Sequence, residues 1–585
     1  MKKTGIFVCT AAVFLFAAGS VFSQDDTSAG FSDDFSSDFN TTGTAVSGSS
    51  TGSSAVTTGG EAELNGRVYV DEENSDGSKK SFSDWDAEAT PKGKLDIKYE
   101  GSKTDVELKL NFNEDVFTKY QADIIDELTM RAYLGDFTLE GGKMKVVWGK
   151  GDKLHVLDNF NANNYTDFLI PDYIDRRLAE PMFRIVYNAP KNIAQTSSIR
   201  LEGIYTPFMT ADRYATSGRW TPASYTALSK KVTQVEENKL AGAWASYVTA
   251  QSTYSTLASL ASEYSAAASL YTLTNYADTY KASYTAAKAA YDAAIKTALG
   301  KPAEYTVTQA EENSAVTSAE TALSESAEAY ATTLSDVSAF SADDLYPDMY
   351  QLKYGQAGAR LTATTGMVDW GLSYYYGHYK QPSVDWSGYI TSAVSNSGAS
   401  LVNPSLDYDR LQVFGTEGAV TLGGFNFRGE FAYNLTDDVS GDDPWTHNNS
   451  LGWVFGFDKD LPVNNININI QTIGTYILKK DKLEDGTYKA YDVDYDENGI
   501  YSNDKIVLNI SDSYNHEKVK PEVSIIYGIE RSDFIVMPKI TYRVADGLDI
   551  IGKGLYITNF DDDSKSEFSS FLNNSFFQLG MKYTF

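Results

Sequence analysis

The chain has 585 residues, a formal net charge of -30 and a mean hydropathy of -0.33. That acidic balance excludes nucleic acid as a partner, because phosphate backbones demand basic patches. No apolar run is long enough for a membrane-spanning helix of roughly 20 residues.

A membrane is not thereby excluded. Forty Tyr, 29 Phe and 44 Gly against one Cys and 14 Pro describe a strand-rich chain with many aromatic positions, and transmembrane β-barrels hide their hydrophobicity in alternation.

The chain opens with Lys2-Lys3, an apolar run from Ile6 to Ala18, and Val21-Phe22-Ser23. Basic, apolar and small-residue regions in this order predict a secretory signal peptide, residues 1–23, cleaved after Ser23. The lone Cys9 lies inside the apolar run, so it is poorly placed to carry lipid, and the mature chain has no thiol. Residues 24–60 are rich in Ser, Thr, Gly and Asp and bury too little apolar surface to order themselves, which predicts a flexible tail. Its Phe31, Phe35 and Phe39 stand among acidic residues, and a docking motif for a periplasmic partner is the alternative to plain disorder.

From about residue 62 every second residue turns apolar: Leu95, Ile97 and Tyr99; Val106, Leu108, Leu110 and Phe112; Ile466, Ile468 and Ile470. In a soluble sandwich the apolar set faces a core. In a barrel it faces lipid, while Asp96, Lys98, Glu107, Lys109, Asn467 and Asn469 line a wet lumen. Short turns at Gly101-Ser102, Gly135-Asp136, Asn188 to Thr196, Thr364 to Gly366, Gly423-Gly424 and Ala545 to Gly547 alternate with long polar connections, the rhythm of an outer-membrane barrel.

The expected strands are about 62–71, 92–100, 103–113, 126–134, 137–149, 181–189, 197–207, 351–363, 367–379, 407–421, 425–434, 448–459, 464–479, 504–511, 519–530, 533–544, 548–558 and 574–585. The fold class is therefore an all-β antiparallel transmembrane barrel of about 16 to 18 strands. The barrel falls in two parts, 61–207 and 351–585. An even count puts both termini on the periplasmic side. Pro538 removes a ladder donor inside one of these strands and predicts a bulge there or a misplaced strand.

Residues 208–350 break the pattern with Ala-, Ser-, Thr- and Tyr-rich text such as ASYTAAKAAYDAAIKTALG, which predicts helices. Tyr247 and Tyr254, Tyr264 and Tyr271, and Tyr284 and Tyr291 are each seven apart, with Tyr276 and Tyr280 between. That spacing predicts one helix with an aromatic face, a break at Gly300-Lys301-Pro302, and a second helix over about 308–336: a helical hairpin. Strand parity puts it outside the cell; one further strand upstream would put it in the periplasm instead.

The last segment, NSFFQLGMKYTF, sets Phe577, Leu579, Met581, Tyr583 and Phe585 on one face. With polar Gln578, then Gly580, Tyr583 and a terminal Phe585, it resembles the signal read by the outer-membrane barrel assembly machinery. Strand addition is the physical basis, an alternating edge pairing with the machine's own strand. The segment from Val146 to Pro190 resembles the early loop of a family of porin-like outer-membrane proteins of unassigned role, through Trp148-Gly149, Asp158, Asn161, Tyr165, Asp167, Arg176 and Arg177. The family has Pro after the Asn where this chain has Ala162.

Within that loop Asp158, Asp167, Asp172 and Asp175 accompany Arg176, Arg177 and Lys153. Folded into the lumen, they impose a width limit and a transverse field, a pore constriction; the alternative is an outward loop tied by surface ion pairs. Asp494, Asp496 and Asn498 before Gly499 match the opening of a calcium loop, but its twelfth position is Lys505, so an ordinary acidic loop is the competing reading. No other cofactor is indicated. The four histidines, His155, His378, His447 and His516, are scattered and form no local metal pair or nucleophile motif, so no enzyme is expected.

The leading expectation is a porin-like channel for passive passage of small polar solutes or ions, with lipid and the assembly machinery as partners and homo-oligomers open. The alternative is a surface adhesin displaying the helical insertion on a barrel anchor.

Overall fold

The computed structural model describes residues 55–585 except 71–72, 74–77, 153, 341 and 395–400. The expected signal peptide, nearly all of the expected tail and Lys153 lie outside the described residues.

Eighteen strands form the wall: β1 (Ala55–Tyr69), β2 (Ala87–Glu100), β3 (Thr104–Phe112), β4 (Ile125–Leu134), β5 (Phe137–Met144), β6 (Glu180–Asn188), β7 (Thr196–Thr206), β8 (Gln356–Thr365) and β9 (Val368–His378). The second part continues with β10 (Arg410–Leu422), β11 (Phe425–Thr436), β12 (Ser450–Asp460), β13 (Asn467–Ile477), β14 (Ser502–Ser511), β15 (Val519–Gly528), β16 (Asp533–Ala545), β17 (Leu548–Asn559) and β18 (Phe576–Thr584). Each pairs antiparallel with its chain neighbour, and β18 pairs with β1 from Glu61 opposite Thr584 to Tyr69 opposite Phe576. The sheet has no free edge.

Alternation decides which way each side chain points. On β11, Glu430, Ala432 and Asn434 are buried while Phe427 and Phe431 are exposed. On β13, Asn469, Gln471 and Ile473 point inward, as the sequence pattern implies. The outer wall exposes Leu64, Phe183, Leu201, Leu372, Phe414, Phe455, Ile540, Leu579 and Met581. A closed ring of apolar side chains on the outside with polar ones inside is the solution for a lipid solvent, because the closed ladder satisfies every backbone donor. This chain is an outer-membrane β-barrel.

Three local expectations are corrected. Residues 55–60, expected in the tail, belong to β1, where Gly60 exchanges two backbone hydrogen bonds of 3.0 Å with Phe585. The text AVTTGG lacks alternation, and it pairs because a Cβ on Gly60 would stand 2.6 Å from the Lys94 carbonyl and 2.8 Å from the Phe585 ring. Pro538 causes no register shift. It faces outward, the ladder omits only its own pair and the Met537 pair on the β17 side, and Gly554 opposite leaves room for the ring. The shift falls instead between Arg543 and Ala545.

The insertion between β7 and β8 holds three helices, not a hairpin: α1 (Ala223–Leu273), α2 (Asp278–Ala298) and α3 (Gln309–Ala339). The continuous aromatic face breaks where Asn275 and Tyr276 take left-handed φ values of 54° and 64°. The stacked tyrosines then bridge two helices: Tyr264 and Tyr271 meet Tyr284, and Tyr264 meets Tyr291. Leu257, Tyr291, Ile295, Val307 and Ala319 form this unit's own core. Thr308 and Glu311 cap α3 reciprocally, satisfying two orphan donors.

Candidate functional site: a loop folded inside the barrel

The connection from β5 to β6, residues 145–179, turns inward. Its apolar residues are not those of a solvated loop: Leu154 and Phe160 are 0% exposed, and Val156, Leu157 and Leu169 are also buried. At about 1.5–3 kcal/mol for each fully buried side chain, with an extended-chain reference making this an upper estimate, these five residues alone drive the loop off the surface. They pack with inward-facing Val413, Val454, Ile473, Val507, Ile526 and Ile557 of the wall.

Polar anchors then fix the loop's path. Glu430 of β11 accepts the backbone N–H groups of Gly151 at 2.6 Å and Val156 at 2.9 Å, and its Oε1 lies 2.8 Å from His155 Nδ1. The side chains of Glu430 and His155 are both buried. Gly149, at φ 121°, makes this possible: a Cβ there would sit 2.1 Å from Glu430 Oε1. Gln471 of β13 donates to the Asp152 carbonyl at 2.7 Å, and Arg360 of β8 to the Gly149 carbonyl at 3.2 Å. Trp148 Nε1 donates to Glu202 of β7 at 3.0 Å. Asn161 ties both arms of the loop through the Met144 and Leu178 carbonyls, at 3.0 and 2.9 Å.

Of the acidic and basic residues singled out from the sequence, those among the described residues have the following partners. Asp167 is held by Arg67 of β1 through two hydrogen bonds of 2.7 and 3.1 Å. Asp175 takes the Lys94 ammonium of β2 at 2.6 Å. Asp158 pairs with Arg177 at 2.9 Å and accepts from the Tyr173 hydroxyl. The Asp172 backbone carbonyl accepts the Arg176 N–H at 3.0 Å. Arg176 is fully buried, with the Tyr165 ring beneath its guanidinium at 5.7 Å and no hydrogen-bond acceptor among the described residues.

Sequence reading missed the wall partners Arg67, Lys94, Glu202, Arg360, Glu430 and Gln471, because each lies far along the chain from the loop. One signal was available: Leu154, Val156, Leu157, Phe160, Leu169 and Ile170 are too apolar for an outward loop.

The calcium-loop residues are spread over separate partners. Asp494 accepts the Asn448 N–H at 2.6 Å, Asp496 is paired with Arg531, and Asn498 is exposed. Among the described residues no group of three metal-ligating side chains is assembled. Asp494 instead belongs to a buried cluster at the loop end of the barrel. There Asp409 accepts from Ser383 at 2.6 Å and lies 2.5 Å from His447 Nδ1, and His447 stacks on Tyr379 at 4.5 Å. Burial works against a charged imidazole, but the Asp494 and Asp409 carboxylates outweigh it and push His447 up to about 9. Burial beside Asp494 likewise pushes Asp492 up to about 7. The Asp409 carboxylate stands between the Ser383 hydroxyl and the His447 imidazole.

In the last strand, Gln578 points inward and accepts from Arg67 Nε at 3.0 Å. Gly580 lies against Asn65, where a Cβ would be 2.3 Å from Oδ1. Tyr583 and Phe585 point outward, 50% and 61% exposed.

No family model and no curated protein matches the chain. Solved structures similar to it include Pseudomonas aeruginosa OccK3 (OpdO), at TM-score 0.37 and 10% identity over 90% of this chain and 95% of that one. Pseudomonas aeruginosa OpdQ scores 0.36 at 8% identity over 91% and 97% of the two chains. A mutant of the Rh. blastica porin scores 0.32 at 8% identity over 91% and 100%. It is the unbroken ladder from β1 round to β18 that makes the chain a closed barrel.

Proposed function

We propose that the chain is a channel for small polar solutes or ions, with the β5–β6 loop as its constriction. A wall of this strand number encloses an aqueous lumen unless plugged. The observation that supports a remaining passage is the wetness of the inward ion pairs beside the loop: the Lys94 and Asp175 side chains keep 34% and 45% exposure, and Arg428, which reaches Asp152, keeps 32%. Selection then comes from charge and width at the loop and needs no catalytic group. By the usual arrangement of short periplasmic turns and long outer loops, the end bearing the β5–β6 and β7–β8 connections is the cell exterior.

The test is conductance of the refolded full chain in planar bilayers, beside a variant lacking residues 151–176. Stepwise ion currents that grow on removing the loop are expected. A barrel silent in both forms overturns the reading.

We also infer that the outward aromatic row of β18 is read during assembly, since the strand that must close the ladder last is also the one exposing Phe577, Leu579, Met581, Tyr583 and Phe585.

A further inference from the structure

Two consecutive guanidinium groups in the lumen loop are treated in opposite ways. Arg177 has Asp158 at 2.9 Å and the Asn163 amide oxygen at 3.4 Å. Arg176 is equally buried, 0% exposed, yet Nε, Nη1 and Nη2 find no acceptor among the described residues. Three carboxylates of the same loop are engaged elsewhere: Asp158 with Arg177, Asp167 with Arg67 and Asp175 with Lys94. The Tyr165 face offers only a cation–π contact, and that ring is itself stacked on Tyr214 at 5.1 Å.

A guanidinium cannot shed its charge, and an isolated buried charge is among the most costly features a fold can hold. Five donors in a planar fork match the geometry of a carboxylate or phosphate oxyanion. We propose that Arg176 is the seat of a small oxyanion, of the phosphate or carboxylate class, which supplies the countercharge and stabilises the inward position of the loop. The bound ion accepts from two or more of the guanidinium donors, with Tyr165 as the floor. The proposal deepens the channel reading, because the loop it stabilises is the proposed constriction, but its first test does not depend on current.

Thermal unfolding of the refolded full chain is followed in detergent against inorganic phosphate, then acetate, with chloride at matched ionic strength as control, for the native chain and for Arg176→Met and Arg176→Lys. The native chain should show a melting temperature that rises with phosphate or acetate and saturates, as binding to the folded state alone requires. Arg176→Met should melt higher than the native chain in oxyanion-free chloride, because it removes an unpaired charge while keeping the packing, and should lose the oxyanion response. Arg176→Lys keeps charge without the fork and should respond more weakly.

A melting temperature indifferent to both oxyanions, or an oxyanion response that survives in Arg176→Met, overturns the site. So does an Arg176→Met chain that melts lower than the native one in chloride alone. Bilayer currents separate the two readings: conductance with no Arg176-dependent response sinks the site and leaves the channel, and the reverse sinks the channel and leaves the site.

Discussion

Replacing Glu430 isolates the energy that holds the loop inside. Its carboxylate accepts three donors from one turn of the loop, at 2.6, 2.8 and 2.9 Å, in a fully buried place. Hydrogen bonds to a charged group contribute about 1.5–3 kcal/mol each, and removing one member of a buried charged set costs about 3–5 kcal/mol. At about 1.4 kcal/mol per factor of ten, Glu430→Ala moves the balance between inward and released loop by a factor of about a hundred to a few thousand. Glu430→Gln is the sharper variant. It keeps the volume but turns one oxygen into an N–H donor, so at least one of Gly151 N, His155 Nδ1 and Val156 N meets a donor where it had an acceptor. The outer wall is untouched, so the barrel should still assemble. Single-channel recording should show larger or flickering currents, and limited proteolysis of the folded protein should cut within 151–176, where the native chain resists. Native-like currents and native-like protease resistance in both variants would refute the loop-latch reasoning.

Gly149→Ala should resemble Glu430→Gln, because its Cβ meets Glu430 Oε1 at 2.1 Å in a backbone conformation that L side chains avoid; a quiet channel of native conductance would count against the latch. Phe585→Asp should lower outer-membrane levels of the protein while leaving the conductance of whatever assembles unchanged, measured by membrane fractionation; normal levels would contradict the role given to the closing strand. His447 is held up to about 9 in the fold against roughly 6.5 unfolded, so its contribution is fully present below about pH 6.5 and is lost as pH rises through about 9. The ceiling is on the order of 3 kcal/mol at about 1.4 kcal/mol per unit. The raised Asp492 acts in the same direction, its ionisation being disfavoured in the fold as pH climbs toward about 7. Hydrogen exchange of residues 437–449 should accelerate between pH 7 and 10, and His447→Gln should flatten that profile. Equal pH dependence in both proteins would dismiss the imidazole.

The wall was legible in the sequence because strand alternation is local. Leu95, Ile97 and Tyr99 against Asp96 and Lys98 declare two faces within five residues, and short turns such as Gly423-Gly424 mark where the chain reverses; every one of the 18 strands has its counterpart in the ladder. Positions without alternation were misread, as at residues 55–60, where Gly60 pairs through its smallness, and at Asn275 and Tyr276, where two left-handed residues interrupt a heptad-like run of tyrosines.

The loop was legible as a collection of charges among apolar residues. Its Asp and Arg residues were visible, but their partners were not, since Arg67 meets Asp167 across 100 residues and Glu430 meets His155 across 275. Periodicity reports which face a residue occupies. It carries no information about which distant wall position shares its height in a closed barrel, because that is set by the accumulated register of every intervening strand pair. The sequence by itself therefore determined a membrane barrel and its closing strand. Closure of the sheet decided which carboxylate serves which cation, and left the Arg176 guanidinium with no acceptor among the described residues.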